Sequence, residues 1–150
     1  MAVIVKNKQI GFDYKIVEEF EAGLVLSGQE VKSIKSHHIS LKGSFVSIKN
    51  NNAWLKKMHL PPYAKSSLQS LKNYNPNRDR KLLLNKREMA YLSSKTNERG
   101  LTIVPISVYT TRRLIKVKIG LVKGKKKFDK RETIKKRDTE RNILRKLKNF

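Results

Sequence analysis

The sequence predicts a mainly β fold: a small, closed or nearly closed barrel of the oligonucleotide-binding kind, with two or more short helices and a basic C-terminal tail. Three observations predict it. Short segments of strand-like composition follow one another, two helix signals interrupt them, and the last part of the chain is rich in charge and poor in apolar residues. A length of 150 residues suits one domain. An unrelated α+β sandwich is the alternative.

The N-terminal third is predicted to hold an arm, a strand and a helix. Residues 1–13 are expected to form the arm, and the first strand is expected to begin at Tyr14, where YKIVEEF mixes apolar and polar side chains. Glu21-Ala22-Gly23 has the composition of a turn. Val31 and Ile34 then lie three residues apart with Ser27 before them, which indicates a short capped helix.

A hairpin and a long loop are predicted next. The segments SFVSIKN and AWLKKMHL flank Asn50-Asn51-Asn52, and asparagine tolerates the positive φ of a tight turn. Trp54 is expected to anchor the core face of this hairpin. Residues 61–80 contain three prolines and no sustained period, so they are expected to form a long loop, and loops of that length in a compact domain are usually functional or disordered. Its cationic and aromatic side chains are Tyr63, Lys65, Lys72, Tyr74, Arg78 and Arg80.

The second half is predicted to add a helix and two strands. Asn85 is a candidate cap for a helix over KREMAYLSSKTNER, which is expected to stop at Gly100. The segments LTIVPISVYTT and LIKVKIGLV follow as strands. In the second of them apolar residues alternate with Lys116 and Lys118, which predicts one core face and one basic face. The apolar positions are Ile115, Val117, Ile119 and Leu121.

The charge of the chain points to nucleic acid as its partner. There are 35 Lys and Arg against 12 Asp and Glu, a net charge of +23. Each contact between a cationic side chain and a phosphate releases counter-ions bound to the nucleic acid, and this release favours binding. A surface that only keeps the protein soluble does not need such a charge. An anionic membrane is the weaker candidate, because the basic segment lacks the Trp- and Leu-rich face of interfacial helices. We expect no membrane association and a monomer.

The location is inferred from what precedes the first lysine. MAVIV is too short for the apolar region of a signal peptide, and no stretch approaches the roughly 20 apolar residues of a membrane span. A cytoplasmic protein is therefore expected. The absence of cysteine excludes disulfides and thiolate metal sites.

The tail is predicted to be a separate unit. We divide the chain into a barrel with its arm over residues 1–122 and a tail over residues 123–150, where 13 basic against four acidic residues leave a net +9. Such a segment has too little apolar surface to fold alone, so it is expected to be disordered when free. A faint two-faced helical pattern, with Ile143, Leu147 and Phe150 opposite a basic side, suggests that binding folds it; a simply solvated tail is the alternative.

Enzymatic chemistry is not predicted, and neither a cofactor nor a metal is expected. His37 and His38 are adjacent and His59 has no second ligand at metal spacing, so exposed histidines are the better interpretation. Glu19 and Glu21 share a strand face but suggest only solvated carboxylates. The segment GLVKGKKK lacks the spacing and the hydroxyl of a phosphate-binding loop.

Seven ordered blocks resemble the family of SsrA-binding proteins, also called small protein B. They are NK at Asn7, EEFEAG at 18–23, SGQEVKSIK at 27–35, AWLKKMHLPPY at 53–63, KLLLNKRE at 81–88, KVKIGLVKGKKKFDKRE at 116–132 and KKRD at 135–138. The resemblance implies a barrel that binds the tRNA-like domain of transfer-messenger RNA and brings it to stalled bacterial ribosomes. That process is trans-translation.

The resemblance also implies which residues contact RNA. In the barrel they are Asn7, Glu21, Lys81, Leu83, Lys86 and Arg87. In the family the tail is thought to occupy the empty decoding site and message channel beside small-subunit RNA, and the similar positions here are Asp129, Lys130 and Arg131. We expect further ribosome contacts from the neighbouring tail residues Lys125, Lys126, Lys127, Phe128, Arg137 and Arg141. Phe12 stands where the family often has histidine, and Phe128 where it often has histidine or tyrosine; phenylalanine keeps a stacking surface at both positions but cannot supply a hydrogen bond or a proton.

Two functions stay open on the sequence. The first is a binding module for transfer-messenger RNA. The second is a general structured-RNA-binding or ribosomal-protein-like scaffold, for which the same charge and the same fold would serve.

Overall fold

A computed structural model describes residues 2–63, 74–98 and 100–124, together with the single positions 137 and 141. The elements bounded in this part of the chain are β1 (Ala2–Lys6), β2 (Tyr14–Leu24), α1 (Gly28–Lys35), β3 (Phe45–Lys49), β4 (Asn52–Lys56), β5 (Arg80–Leu83), α2 (Lys86–Thr96), β6 (Leu101–Thr111) and β7 (Leu114–Gly124).

The strands close into an antiparallel barrel. They follow the order β1-β6-β3-β4-β5-β2-β7, and a further pairing of β6 with β7 joins the sheet to itself. One edge of β6 is shared, because Ile103 pairs with Val46 of β3 while residues 107–110 pair with β1. The predicted mainly β barrel with short helices is therefore confirmed. Closure leaves few free strand edges, which protects a small β domain from pairing with other chains.

The core lies inside the barrel and under the two helices. The alternating apolar positions of β7 are all buried, as predicted, and Leu55 and Leu82 meet them from the opposite wall. Ile34 of α1 and Leu92 of α2 are fully buried as well, so each helix contributes an apolar side chain to the core. Burial of side chains this size stabilises by about 1.5–3 kcal/mol each.

Both predicted helix starts are confirmed by their caps. The Ser27 hydroxyl accepts a hydrogen bond from the Glu30 amide, and the Glu30 carboxylate accepts one from the Ser27 amide, so the two form a capping box. The Asn85 side chain accepts from the Glu88 amide at 2.8 Å. The second helix ends at Thr96, and Gly100 adopts a positive φ of 83° that favours glycine in the turn before β6.

Two predictions about the N-terminal third were wrong. Ala2–Lys6 is a strand paired with β6, so the first strand begins twelve residues before Tyr14 and only residues 7–13 connect it to β2. The Glu21-Ala22-Gly23 segment continues β2 instead of turning. Ala22 is buried in the core, and Gly23 pairs with Leu83, so partners distant in sequence hold this segment extended.

The hairpin is confirmed, but the position of its tryptophan was predicted wrongly. Asn50 and Asn51 form the turn with φ values of 51° and 59°, in the left-handed region that asparagine tolerates. The register that results directs Ala53 and Leu55 into the core, where both are fully buried. Because side chains alternate along a strand, Trp54 lies on the outer face and is half-buried there.

The segment predicted as a loop over residues 61–80 contains a buried ion pair. Arg80, which begins β5, is fully buried; its Nε donates to the carboxylate of Glu30, which is also buried. Its other nitrogens donate to the carbonyl oxygens of Met58 at 2.6 Å and Pro76 at 3.1 Å. Arg78 donates to Glu30 at 2.5 Å. Both arginines therefore attach the loop to α1, and Arg80 is not available to RNA.

Candidate nucleic-acid interface

A row of paired residues crosses five strands on the outer side of the barrel. Val3 pairs with Tyr109, Tyr109 with Lys116, Lys116 with Gly23, and Gly23 with Leu83. Residues directly opposite in antiparallel strands present their side chains on the same face. The register therefore brings residues from distant parts of the sequence onto one side of the barrel, where Val3 and Leu83 are exposed and Tyr109 is buried between them.

Glu21 lies beside this row and is held by two partners. Its carboxylate accepts a hydrogen bond from Lys116 Nζ at 2.7 Å and another from the Tyr109 hydroxyl. The bond from Lys116, and after it the bond from Tyr109, hold the pKa of Glu21 below its usual value. Burial raises the pKa of Tyr109, and the bond to Glu21 raises it further. Glu21 is therefore ionised and oriented, yet its side chain is 53% exposed.

The outer lysines of β7 are paired rather than free. Lys116 pairs with Glu21, and Lys118 Nζ lies 3.6 Å from Glu19 Oε2. The lysines of β7 do lie on one face, as predicted, but the prediction missed the neighbouring strand β2, whose glutamates pair with them. Glu19 and Glu21 do share a face, as predicted, but as members of ion pairs.

Asn7 and Glu21 line the same open cavity, which has a volume of about 530 Å³. Both were predicted to contact RNA, and the structure brings them together although 14 residues separate them. The full lining is Val3, Lys6, Asn7, Ile10, Glu19, Glu21, Ile106, Ser107, Tyr109 and Lys118. Its walls combine apolar side chains with both signs of charge.

Asn7 is buried, and its own amide is engaged within the protein. Its Nδ2 donates to the Pro105 carbonyl at 2.9 Å, and its Oδ1 accepts from the Gln9 amide at 3.0 Å. Its backbone amide also donates to Ile106 at 2.8 Å. These bonds attach the turn after β1 to the bulge in β6, so Asn7 fixes the position of two segments that line the cavity.

The remaining predicted barrel residues lie on or after β5. Leu83 is 56% exposed, so it is not a core residue, and Lys81 is half-buried on the same outer face. A side chain at Gly23 would place its Cβ 3.2 Å from Leu83 Cβ, so glycine leaves room for the leucine. Lys86 and Arg87 are both exposed in the first turn of α2.

The tail residues from Lys125 to Arg131 lie outside the described residues. Arg137 and Arg141 have helical backbone and exposed side chains. Arg137 borders a second open cavity of about 630 Å³, together with Asn7, Lys8, Phe12 and Lys42. Disorder of the free tail stays a prediction.

Sequence reasoning missed the two residues that hold Glu21. Tyr109 and Lys116 come from β6 and β7, which are about 90 residues from β2 in the sequence. The alternation of Lys116 with apolar neighbours was a signal that it faces outward. The identity of the strand beside it was not readable from that pattern.

The described residues offer no cluster for a metal and no membrane span. Within ranges 2–63, 74–98 and 100–124, no three His, Asp or Glu side chains come together as a metal site would need. His37, His38 and His59 are all exposed, as predicted. No helix in this part of the chain has the length and apolar character to cross a bilayer.

Comparison with known proteins gives one consistent result. The family model of the SmpB protein matches residues 4–149. An SsrA-binding protein of Streptococcus mutans is 45% identical over 148 residues, which cover 99% of this chain and 94% of that protein. One from Streptococcus pyogenes has the same identity and coverage.

A solved structure agrees with these relatives. It is described as "tmRNA-SmpB: a journey to the center of the bacterial ribosome", and one of its chains superposes with a TM-score of 0.69 at 36% identity. The superposition covers 89% of this chain and 95% of the other.

Proposed function

The chain belongs to the SmpB protein family, and on this premise we propose that it binds the tRNA-like domain of transfer-messenger RNA and delivers it to stalled ribosomes for trans-translation. The observation that carries the proposal is the outer face where oriented Glu21 lies near exposed Leu83. The role is binding rather than catalysis, and it places the protein in the cytoplasm with ribosomes.

Glu21 serves as a hydrogen-bond acceptor for RNA. An isolated carboxylate repels phosphate, but here the ammonium group of Lys116 neutralises it and the Tyr109 hydroxyl orients it. The remaining lone pairs can accept from a base amino group or from a ribose hydroxyl, which structured RNA offers at unpaired positions. This contact distinguishes one RNA surface from another.

Leu83 and its basic neighbours complete the surface. The exposed Leu83 side chain can pack on a base or a sugar, and burying it removes apolar area from water. Lys81, Lys86 and Arg87 neutralise phosphates, which sets the position of the RNA without reading its sequence. Asn7 acts indirectly, because its amide holds the turn that lines the cavity beside Glu21.

The tail carries the second part of the function. Lys125–Arg131, Arg137 and Arg141 are proposed to probe the empty decoding site and message channel of the small subunit. The support is the net charge of +9 over residues 123–150 and the resemblance of this segment to the family. The exposed side chains of Arg137 and Arg141 are available for phosphate contacts.

Two alanine variants with matched controls test the barrel site. Glu21→Ala removes a charged acceptor, and we expect about 10-fold to about 100-fold weaker binding to the isolated tRNA-like domain. Glu98→Ala removes a glutamate of equal exposure that pairs with Lys95, and it should bind as the wild type does. Leu83→Ala should also weaken binding. Its control is Val17→Ala, which removes an exposed apolar side chain about 20 Å away along β2.

Circular dichroism of every variant establishes that the barrel is folded. Unchanged affinity in both folded site variants would remove this face from the RNA site. If a linear RNA of equal length competed as well as the folded tRNA-like domain, a general RNA-binding scaffold would replace the proposal.

A further inference from the structure

The outer face of β3 and β4 carries aromatic side chains among lysines. Trp54 lies between Ser47 of β3 and Lys81 of β5 in the register, and Phe45 lies opposite Lys56. We call this surface the aromatic face. Its members are Phe45, Lys49, Trp54, Lys56 and Lys57, with Lys81 at its boundary.

Trp54 and Phe45 do not belong to the hydrophobic core, so packing in the core does not explain why they are aromatic. The core side of β4 is filled by Ala53 and Leu55, which are fully buried, while Trp54 and Phe45 remain half-buried outside. Phe45 is a diagonal neighbour of Trp54 across the β3–β4 pair, which places such residues roughly 7–8 Å apart. Two large π surfaces are therefore presented side by side on one wall of the barrel.

The charge around these rings selects an anionic partner. Lys49 and Lys57 are exposed, and Lys57 Nζ lies 5.9 Å from the centroid of the Phe45 ring. Asp79 at the edge of the face forms an exposed ion pair with Lys56, whose Nζ lies 3.8 Å from the carboxylate. The face keeps an excess of positive charge, because Lys49, Lys57 and Lys81 remain beside this one ion pair, whereas in the Glu21 region β2 supplies an acid for each outer lysine of β7.

We propose that the aromatic face binds single-stranded RNA, with one unpaired base stacked on Trp54 and its phosphates on the flanking lysines. Every base has a π surface, so stacking on an aromatic ring is largely independent of sequence, while lysines follow the backbone. A base inside a duplex is already stacked on its neighbours, so the face requires unpaired nucleotides. This inference rests on the proposed function only in taking RNA as the partner.

The location suggests how the two surfaces cooperate. Lys81 borders the aromatic face and precedes Leu83 by two residues on the same outer side of β5. If the folded part of an RNA contacts Glu21 and Leu83, a single strand that adjoins this part can pass over Lys81 and reach Trp54. The partner is an RNA in which a structured domain continues into an unpaired segment.

Trp54 is the chain's single tryptophan, so its intrinsic fluorescence reports on this face alone. We would titrate the full-length wild type with an oligouridine of about 10 nucleotides at low salt. Stacking should quench and shift the emission. Inorganic polyphosphate of equal charge should bind without the same quenching, and equal quenching by polyphosphate would overturn the stacking contact.

Variants measured by anisotropy of labelled oligouridine complete the test. Trp54→Leu should weaken binding by about 5-fold to about 100-fold, Trp54→Phe should retain most of the affinity, and Val17→Ala should retain all of it. Affinity of Trp54→Leu for the tRNA-like domain should stay within about twofold of the wild type. Absence of quenching at saturation, or unchanged oligouridine affinity in folded Trp54→Leu, would overturn the inference.

Failure of the two proposals can be told apart. A wild type that binds the tRNA-like domain but does not stack oligouridine refutes the aromatic face alone. A wild type that stacks oligouridine but does not prefer the tRNA-like domain refutes the proposed function alone. If Trp54→Leu does not fold, two measurements still test the aromatic face. The first is the quenching of wild-type fluorescence by oligouridine. The second is the salt dependence of oligouridine binding, whose slope should be smaller for the Lys49→Gln, Lys57→Gln double variant than for the wild type.

Discussion

Replacing Arg80 by methionine should strongly destabilise the protein although no RNA contact is removed. Arg80 is fully buried where β5 begins, and its guanidinium joins three elements of structure. It donates to Glu30 of α1 and to the carbonyl oxygens of Met58 and Pro76. Methionine occupies a similar volume but donates no hydrogen bond, so the variant leaves a buried carboxylate and two carbonyl groups without this partner.

The magnitude follows from what stays behind. Removing one member of a buried ion pair costs about 3–5 kcal/mol, because the other charge is left uncompensated. Glu30 keeps Arg78 at 2.5 Å and the Ser27 amide at 2.9 Å, which lowers the cost, while the two carbonyl groups raise it. We therefore expect a loss of about 3 kcal/mol, a large part of the 5–15 kcal/mol that holds a typical domain folded.

Urea unfolding followed by circular dichroism measures this loss directly. The control is Lys56→Met, which removes the cation of the exposed Lys56–Asp79 pair and should change the free energy of unfolding by less than about 1 kcal/mol. Combining Arg80→Met with Glu30→Met removes both charges and should recover part of the stability. A loss below about 1 kcal/mol for Arg80→Met, with an unchanged urea dependence, would refute this account of the buried pair.

Three further predictions concern pH, salt and the tail. Burial raises the pKa of Glu30, but hydrogen bonds from Ser27, Arg78 and Arg80 outweigh burial and hold this pKa below its usual value. The ionised carboxylate therefore stabilises the fold above the pKa of the unfolded state, and this stability is lost as the pH falls through the pKa of the folded state. Urea unfolding at several acidic pH values should show a smaller loss of stability for Glu30→Gln than for the wild type. Affinity for the tRNA-like domain should fall with salt with a log–log slope of about −0.7 to −0.9 per phosphate contact, measured by titration at several salt concentrations. Deleting residues 129–150 should spare binding to this domain and abolish tagging on stalled ribosomes; a truncated protein that still supports tagging in a reconstituted translation assay would contradict the proposed role of the tail.

Features with local causes could be predicted from the sequence. The alternation in β7 is a property of one strand, and the starts of α1 and α2 depend on Ser27 and Asn85, whose side chains bond to amides three residues away. The Asn50–Asn51 turn likewise depends only on its own backbone preference. The family resemblance added residues of the proposed RNA face, such as Glu21 and Leu83, that no local pattern singled out.

Features that depend on distant partners were not predictable in this way. Ala2–Lys6 contains few residues, and its strand conformation comes from pairing with β6 about 100 residues later. The sequence alone indicates a cation in a loop at Arg80, because its buried partner Glu30 lies 50 residues away along the chain. Trp54 was assigned to the core because tryptophan is large and apolar, but the hairpin register decides the face, and a shift of one residue reverses every side chain.

If the proposed function holds, the distribution of acids explains how a chain of net charge +23 would recognise one RNA rather than all RNA. On the Glu21 surface, Lys116 and Lys118 are each paired with an acid of β2, so this surface has little net charge. The RNA contacts proposed there would depend on hydrogen-bond geometry and shape, and we expect them to change little with salt. Exposed cations lie elsewhere in the described part of the chain, at Lys49 and Lys57 of the aromatic face and at Lys86 and Arg87 at the start of α2, and the sequence of the tail adds a net charge of +9. In the proposed function, different parts of the molecule thus supply affinity for phosphates and selectivity through Glu21, so that the excess charge does not mask the selective contact.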